Sequence, residues 1–115
     1  MRVLGALLAV TLAACSGAPA ASGPPSAGSA AAVTITGNFA FDPATITVSR
    51  GATVTWTNSG GTTHTITSGT PETPTNKFNQ ALENGKTFSV TFTETGTFTY
   101  FCSIHQTMRG TVIVR

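Results

Sequence analysis

With 115 residues the chain has room for at most one domain, and only 9% of it is charged, for a formal net charge of +2. From residue 33 onward, five basic residues (Arg50, Lys77, Lys86, Arg109, Arg115) stand against four acidic ones (Asp42, Glu72, Glu83, Glu94). That balance leaves no electrostatic footprint for nucleic acid or for an anionic membrane surface.

The chain opens on Met1-Arg2, and Val3 to Leu12 is a run of ten residues, apolar but for Thr11. It falls well short of the roughly 20 residues a membrane-spanning helix needs, but it suits the apolar region of an export signal. Leu12-Ala13-Ala14-Cys15 closes the run and resembles the lipobox of bacterial lipoproteins. The resemblance implies a signal peptide over residues 1–14 and a lipid on Cys15. The protein would then be anchored in the cell envelope, on the periplasmic side or the outer surface. Cleavage at Ala18-Pro19-Ala20, releasing a soluble protein, is the alternative.

Ser16 to Ala32 contain only Ala, Ser, Gly and Pro. Such a segment has nothing to bury, so residues 15–32 are expected to be a lipidated Cys and a flexible linker. Residues 33–115 remain as the folded domain. An exported domain this small normally carries a cross-link, yet Cys102 is its only cysteine. A metal is the remaining staple.

Within the domain, Thr supplies 22 of the 83 residues, alongside many Val, Ile and Phe, a composition suited to pleated, half-buried strands. Apolar residues alternate with polar ones in Val33/Ile35, Ile46/Val48, Val54/Trp56, Phe88/Val90/Phe92, Phe98/Tyr100/Cys102 and Val112/Val114. Ser49-Arg50-Gly51, Ser59-Gly60-Gly61, Asn84-Gly85 and Glu94-Thr95-Gly96 mark turns between them. Ser68 to Asn76, with Pro71 and Pro74, reads as a long surface loop, and Phe78 to Leu82 has room for a short helical turn. The pattern predicts an all-β fold: a Greek-key, antiparallel β-sandwich of seven or eight strands. Strands 45–48 and 53–57 are expected to pair as a hairpin, with 53–57 and 97–102 delivering His64 and Cys102 to the same end.

The domain holds two His, one Cys and one Met, its whole supply of soft or borderline metal ligands. Three lie within Cys102-Ser103-Ile104-His105-Gln106-Thr107-Met108. A spacing of three does not share one face of a straight strand, so the segment must curl, and strands on both sides favour a tight loop over a helical turn. Each residue alone has a plain structural reading: a buried Cys, a core Met, a polar His on a strand, a His in a loop. Those readings leave unexplained why all four stand where one site could use them. A thiolate, two imidazoles and a weak thioether form the donor set of blue-copper electron-transfer sites. With four protein ligands no position stays open for substrate, unlike a catalytic metal site.

The sequence resembles a cupredoxin of the plastocyanin and amicyanin group. The resemblance is carried by Phe39-Ala40-Phe41-Asp42-Pro43, Ile46-Thr47-Val48, Val54-Thr55-Trp56-Thr57-Asn58, His64-Thr65-Ile66, Gly96-Thr97-Phe98, and Tyr100 through Val112. It implies one type 1 copper ion on His64, Cys102, His105 and Met108, with His105 near the surface as the port for electrons. Ile104 is a candidate for the docking patch around that port. Many family members have Asn directly after the first His, tying the two ligand loops together, with its backbone N–H on the Cys sulfur. Thr65 stands there in this chain, so the resemblance does not carry the side-chain tie across.

The function implied is a monomeric, membrane-tethered carrier of single electrons between redox proteins of the envelope, and not an enzyme. A copper storage or resistance module is the alternative; a metal-free interaction sandwich would leave the four residues in structural roles.

Overall fold

The computed structural model describes residues 30–115, in which the chain forms nine strands and no helix. The strands are β1 (Ala30–Thr36), β2 (Ala40–Asp42), β3 (Thr45–Val48), β4 (Ala52–Asn58), β5 (His64–Gly69), β6 (Pro74–Leu82), β7 (Thr87–Phe92), β8 (Gly96–Phe101) and β9 (Arg109–Val114). They make a four-stranded sheet in the order β2-β1-β4-β7 and a five-stranded sheet in the order β3-β9-β8-β5-β6. The expected β-sandwich is present, with nine strands in place of seven or eight. The expected signal peptide, the lipidation site Cys15 and most of the linker lie outside the described residues.

Four local expectations are corrected. The linker was expected to run through Ala32, but Ala30–Ala32 already pair with Thr53–Thr55 of β4. Pairing is a backbone property, and alanine side chains do not oppose it.

β3 and β4 do not form a hairpin, because they belong to different sheets. The turn between them is claimed from both sides: Arg50 N–H donates to Arg115 O at the end of β9, and Gly51 N–H to Phe92 O at the end of β7. The chain therefore crosses from one sheet to the other there. This crossing makes the sandwich mixed, since β1 runs parallel to β4 and β3 parallel to β9.

The long loop expected over Ser68–Asn76 shrinks to residues 70–73 between β5 and β6. Ser68 makes this possible by standing in for a ladder partner at a register shift. Its Oγ accepts the N–H groups of Lys77 and Phe78 at 2.8 and 3.0 Å and donates to Phe78 O. Gly69 sits at φ +99, and a Cβ there would run into the Thr73 carbonyl. Pro74 is tolerated because β6 is the edge of its sheet. Phe78–Leu82, offered as a helical turn, is the rest of this strand.

Alternation sets the core. On β4, Ala52, Val54, Trp56 and Asn58 point inward while Thr53, Thr55 and Thr57 are half-buried on the outer side. Two outer threonines bond across to β7, Thr53 to Thr91 and Thr55 to Ser89, both at 2.8 Å. Inside, Trp56 packs edge-on to Tyr100 at 5.3 Å, and Tyr100 edge-on to Phe41 at 4.7 Å. Burial pushes the Tyr100 phenol up to about 12. Each such ring, fully buried, contributes on the order of 1.5–3 kcal/mol through its removal from water.

β4 runs antiparallel to β7, and β8 antiparallel to both β5 and β9. The turn after β4 and the end of β8 meet, with His64 Nδ1 3.8 Å from Cys102 Sγ, so β4 and β8 climb to the same end and β5 descends from it. That end carries the site.

Candidate metal centre

Two segments build the site, and the first is the turn from β4 to β5. Inward parity carries β4 past Trp56 to Asn58, which is fully buried. Its Nδ2 donates to the carbonyls of Thr62 and Leu82 at 2.7 Å each, and its Oδ1 accepts the Gly60 N–H at 2.9 Å. One amide thus shapes the whole turn that delivers His64. Gly60 lies against the imidazole: a Cβ would stand 2.8 Å from His64 Nε2 and 2.9 Å from Thr36 O. Thr62 Oγ1 is 3.3 Å from the same Nε2. With Nε2–H donating to that hydroxyl, the lone pair on Nδ1 is aimed into the site.

The second segment follows β8. Cys102 N–H donates to Met108 O at 3.1 Å, and Met108 N–H to His105 O at 2.9 Å. These bonds close the tight loop that the spacing of 102, 105 and 108 required. Cys102 and Met108 are buried within it, at 0% and 1% exposure.

The loop brings Cys102 and His105 up to His64. Cys102 Sγ lies 3.8 Å from His64 Nδ1 and 3.7 Å from His105 Nδ1, and the two Nδ1 atoms are 3.2 Å apart. A point equidistant from all three lies about 2.1 Å from each, the length of a metal–nitrogen bond and just under that of a metal–thiolate bond. The three residues form a group fit to hold a metal ion, and a two-nitrogen, one-sulfur set fits copper. Burial, and then the neighbouring His105, lower the pKa of His64. Both effects favour the neutral imidazole, the form that binds metal.

Thr65 resolves the departure from the family pattern. Its N–H points at Cys102 Sγ at 3.3 Å. Its Oγ1 accepts the Ser103 N–H at 2.7 Å and lies 3.0 Å from Ser103 Oγ. The side-chain tie that the resemblance did not carry across is therefore present, made by a hydroxyl.

His105 is half-buried, and beside it Ile104 is 55% exposed. Sequence reasoning missed their companion, Phe39. It is 50% exposed, and its ring centroid lies 4.9 Å from that of His105 and 6.0 Å from that of His64. Its backbone is held at φ 56, unusual for an aromatic residue and a mark of functional sites. The signal was an aromatic residue in a turn, directly after Gly37-Asn38. Asn58 and Gly60 were also missed; the signal for Asn58 was a polar residue on the inward parity of β4.

Comparison with known proteins agrees with this geometry. The sequence profile described as copper binding proteins, plastocyanin/azurin family, matches residues 29–115. The plastocyanin of Scenedesmus fuscus is 35% identical over 88 residues, covering 69% of this chain and 90% of the relative. Among solved structures, a purple cupredoxin from Nitrosopumilus maritimus superposes with a TM-score of 0.69 at 31% identity, over 74% of this chain and 99% of that one. A reduced amicyanin variant gives a TM-score of 0.65 at 30% identity, over 75% of this chain and 82% of that one. With its nine-stranded sandwich and its His-Cys-His cluster, the chain belongs to the plastocyanin/azurin family of copper-binding proteins, the cupredoxins.

Proposed function

We propose that this cupredoxin carries one type 1 copper ion on His64 Nδ1, Cys102 Sγ and His105 Nδ1, with Met108 as the weak fourth ligand. In this reading it passes single electrons between envelope redox proteins. The observation that supports it most directly is the triangle of three donor atoms, 3.2 to 3.8 Å on a side. Bound there, copper supplies a one-electron couple, Cu(I)/Cu(II).

The chain's own residues do the rest. Asn58, Gly60 and Thr62 orient His64; the two loop hydrogen bonds hold Cys102 and Met108; the Thr65 N–H bonds the sulfur. A scaffold fixed in this way keeps one geometry for both oxidation states, so little reorganises when an electron moves. Phe39, Ile104 and His105 form an exposed apolar patch through which a redox partner docks. Cys15, at the end of the apolar leader, tethers the domain to a membrane through its lipid.

Titration of the purified protein with Cu(II) tests the site. An intense visible thiolate-to-copper band is expected, together with reversible one-electron cycling and loss of the band in Cys102→Ser. A protein that takes up no copper, or whose colour survives that substitution, overturns the assignment. Mass spectrometry of the envelope-bound protein tests the tether, which predicts a lipid on Cys15 and none in Cys15→Ala.

A further inference from the structure

Among the described residues the two sheets end in four edge strands, β2, β7, β3 and β6. An open edge invites another chain to pair with it, and proteins blunt such edges by keeping them short, charged, kinked or interrupted by proline. Three of the four are blunted. β2 has three residues and runs into Pro43, and β3 has four. β6 opens on Pro74, carries Lys77, holds Asn76 at φ 56 and meets β5 with a shift of register. β7 has none of these devices: its six residues, Thr87–Phe92, include no charge and no proline and keep an unbroken register with β4.

The direction of its backbone groups follows from its two ends. Lys86 O accepts the Asn58 N–H at 3.0 Å, and Phe92 O accepts the Gly51 N–H at 2.6 Å. The even-numbered residues therefore bond toward β4, and in an antiparallel ladder the alternate ones face the other way. Thr87, Ser89 and Thr91 turn their N–H and C=O groups to the open edge, and all three are exposed. Phe88 and Val90 are only partly buried, so apolar surface is left beside that edge.

The edge is also complementary to itself. Two copies of β7 laid antiparallel about Val90 set Phe88 across from Phe92 of the other copy, and Ser89 across from Thr91, pairs that favour each other across a sheet. The same register brings Lys86, just before the strand, level with Glu94, just after it, at both ends. We propose that β7 is a homodimerisation edge, through which two copies of this chain join their four-stranded sheets into one of eight. The pairing is isologous and uses up both β7 edges, so it closes at a dimer. Antiparallel strands point the two metal centres in opposite directions, and Phe39, Ile104 and His105 lie outside the paired edge. A contact one strand wide sits at or below the about 1,200 Å² where standing interfaces begin. The chain is then a monomer when dilute and a dimer when concentrated.

Sedimentation equilibrium in reducing buffer tests this without copper, on protein carrying Cys15→Ala so that neither a lipid nor a disulfide at that position joins copies. A dimer should appear with a Kd of roughly 100 μM, the strength of a weak encounter. Lys86→Glu and Glu94→Lys should each weaken it about tenfold, because each sets like charges together at both ends. The double variant should restore it. Ser89→Pro removes an N–H that faces the open edge and should abolish the dimer. In the parent protein, amide exchange at Ser89 and Thr91 should slow as concentration rises, while that at Val90, already bonded to β4, should not. A protein that stays monomeric to about 1 mM, a dimer that all three single variants leave intact, or one lost on Phe39→Ala instead, would overturn the proposal.

Discussion

The two histidines of the site live in opposite surroundings. His64 is fully buried, with Gly60 against its ring and Thr62 at its far nitrogen, at the end of a turn organised by one buried amide. His105 sits in a loop whose neighbours Ser103, Ile104, Gln106 and Thr107 are all exposed, and the exposed Phe39 leans on its ring from the turn between β1 and β2. One ligand is held by the fold; the other is presented to solvent. The division suits a centre that must be rigid inside and reachable outside.

The strongest way to break the buried half is Gly60→Ala. Its Cβ would press on both the His64 ring and the Thr36 carbonyl, and backbone on β1 cannot retreat cheaply. Turning the imidazole takes Nδ1 out of the triangle. Copper affinity should fall about 100-fold, the upper range for groups that orient a metal ligand, as measured by competition with a chelator. An equally large loss from Thr107→Ala, in the exposed loop, would erase the contrast between the two sides.

Asn58→Ala comes next. It removes three hydrogen bonds, one of them the buried donation to the Leu82 carbonyl. The expected cost is about 2–4 kcal/mol of unfolding free energy, read from a denaturant midpoint with an unchanged slope. Thr62 and Gly60 lose their template as well, so copper affinity should drop with it. Asn58→Asp keeps the acceptor for Gly60 but loses both donated bonds, and should recover only part of the stability.

The exposed half should respond in the other currency. Phe39→Ala removes an aromatic ring that covers His105 but supports no core residue, so stability should move by less than about 1 kcal/mol. The visible band should be unchanged. What should fall is the rate of electron self-exchange between copies, by about tenfold, the scale of one good interface contact. Ile104→Ala should act in the same direction. A Phe39 variant that unfolds the protein but exchanges electrons normally would reverse the assignment of that side.

How much of this could be read in the sequence differs between the same two halves. The loop half was legible because its residues are local: 102, 105 and 108 lie within seven consecutive residues, and their spacing demands a loop. The strand alternation was legible for the same reason, since period two is a property of neighbours. The pairing of β3 with β9 and β4 with β7 was not, because a short turn such as 49–51 is compatible with a hairpin or a crossing. Only its partners in distant strands, Arg115 and Phe92, decide. Asn58, Gly60 and Phe39 escaped for a similar reason. Each acts on a histidine that its own neighbours in sequence do not reveal, and Thr65 could be called a departure but not a replacement until Ser103 was seen beside it.

The smallest expected effect concerns protons on His64. Burial and the nearby His105 lower its pKa below the usual imidazole value of 6.5, so the folded copper-free protein resists a proton that the unfolded chain accepts. As pH falls below about 6.5 the unfolded state takes up that proton first, and stability declines until the pH passes the lowered folded value. Above 6.5 both states are neutral at this group and the contribution is fully present. Copper and proton compete for Nδ1, so the same shift lets copper binding keep its affinity to more acid pH than an ordinary imidazole would allow. Following the His64 ring signals by NMR from pH 8 to 4 in copper-free protein checks the direction. Thr62→Val, which strips the hydroxyl from Nε2, should lower the pKa further, because a protonated ring would then lack that partner. A midpoint at or above 6.5 in the parent protein would mean that the buried ligand is no better shielded from water than an exposed one.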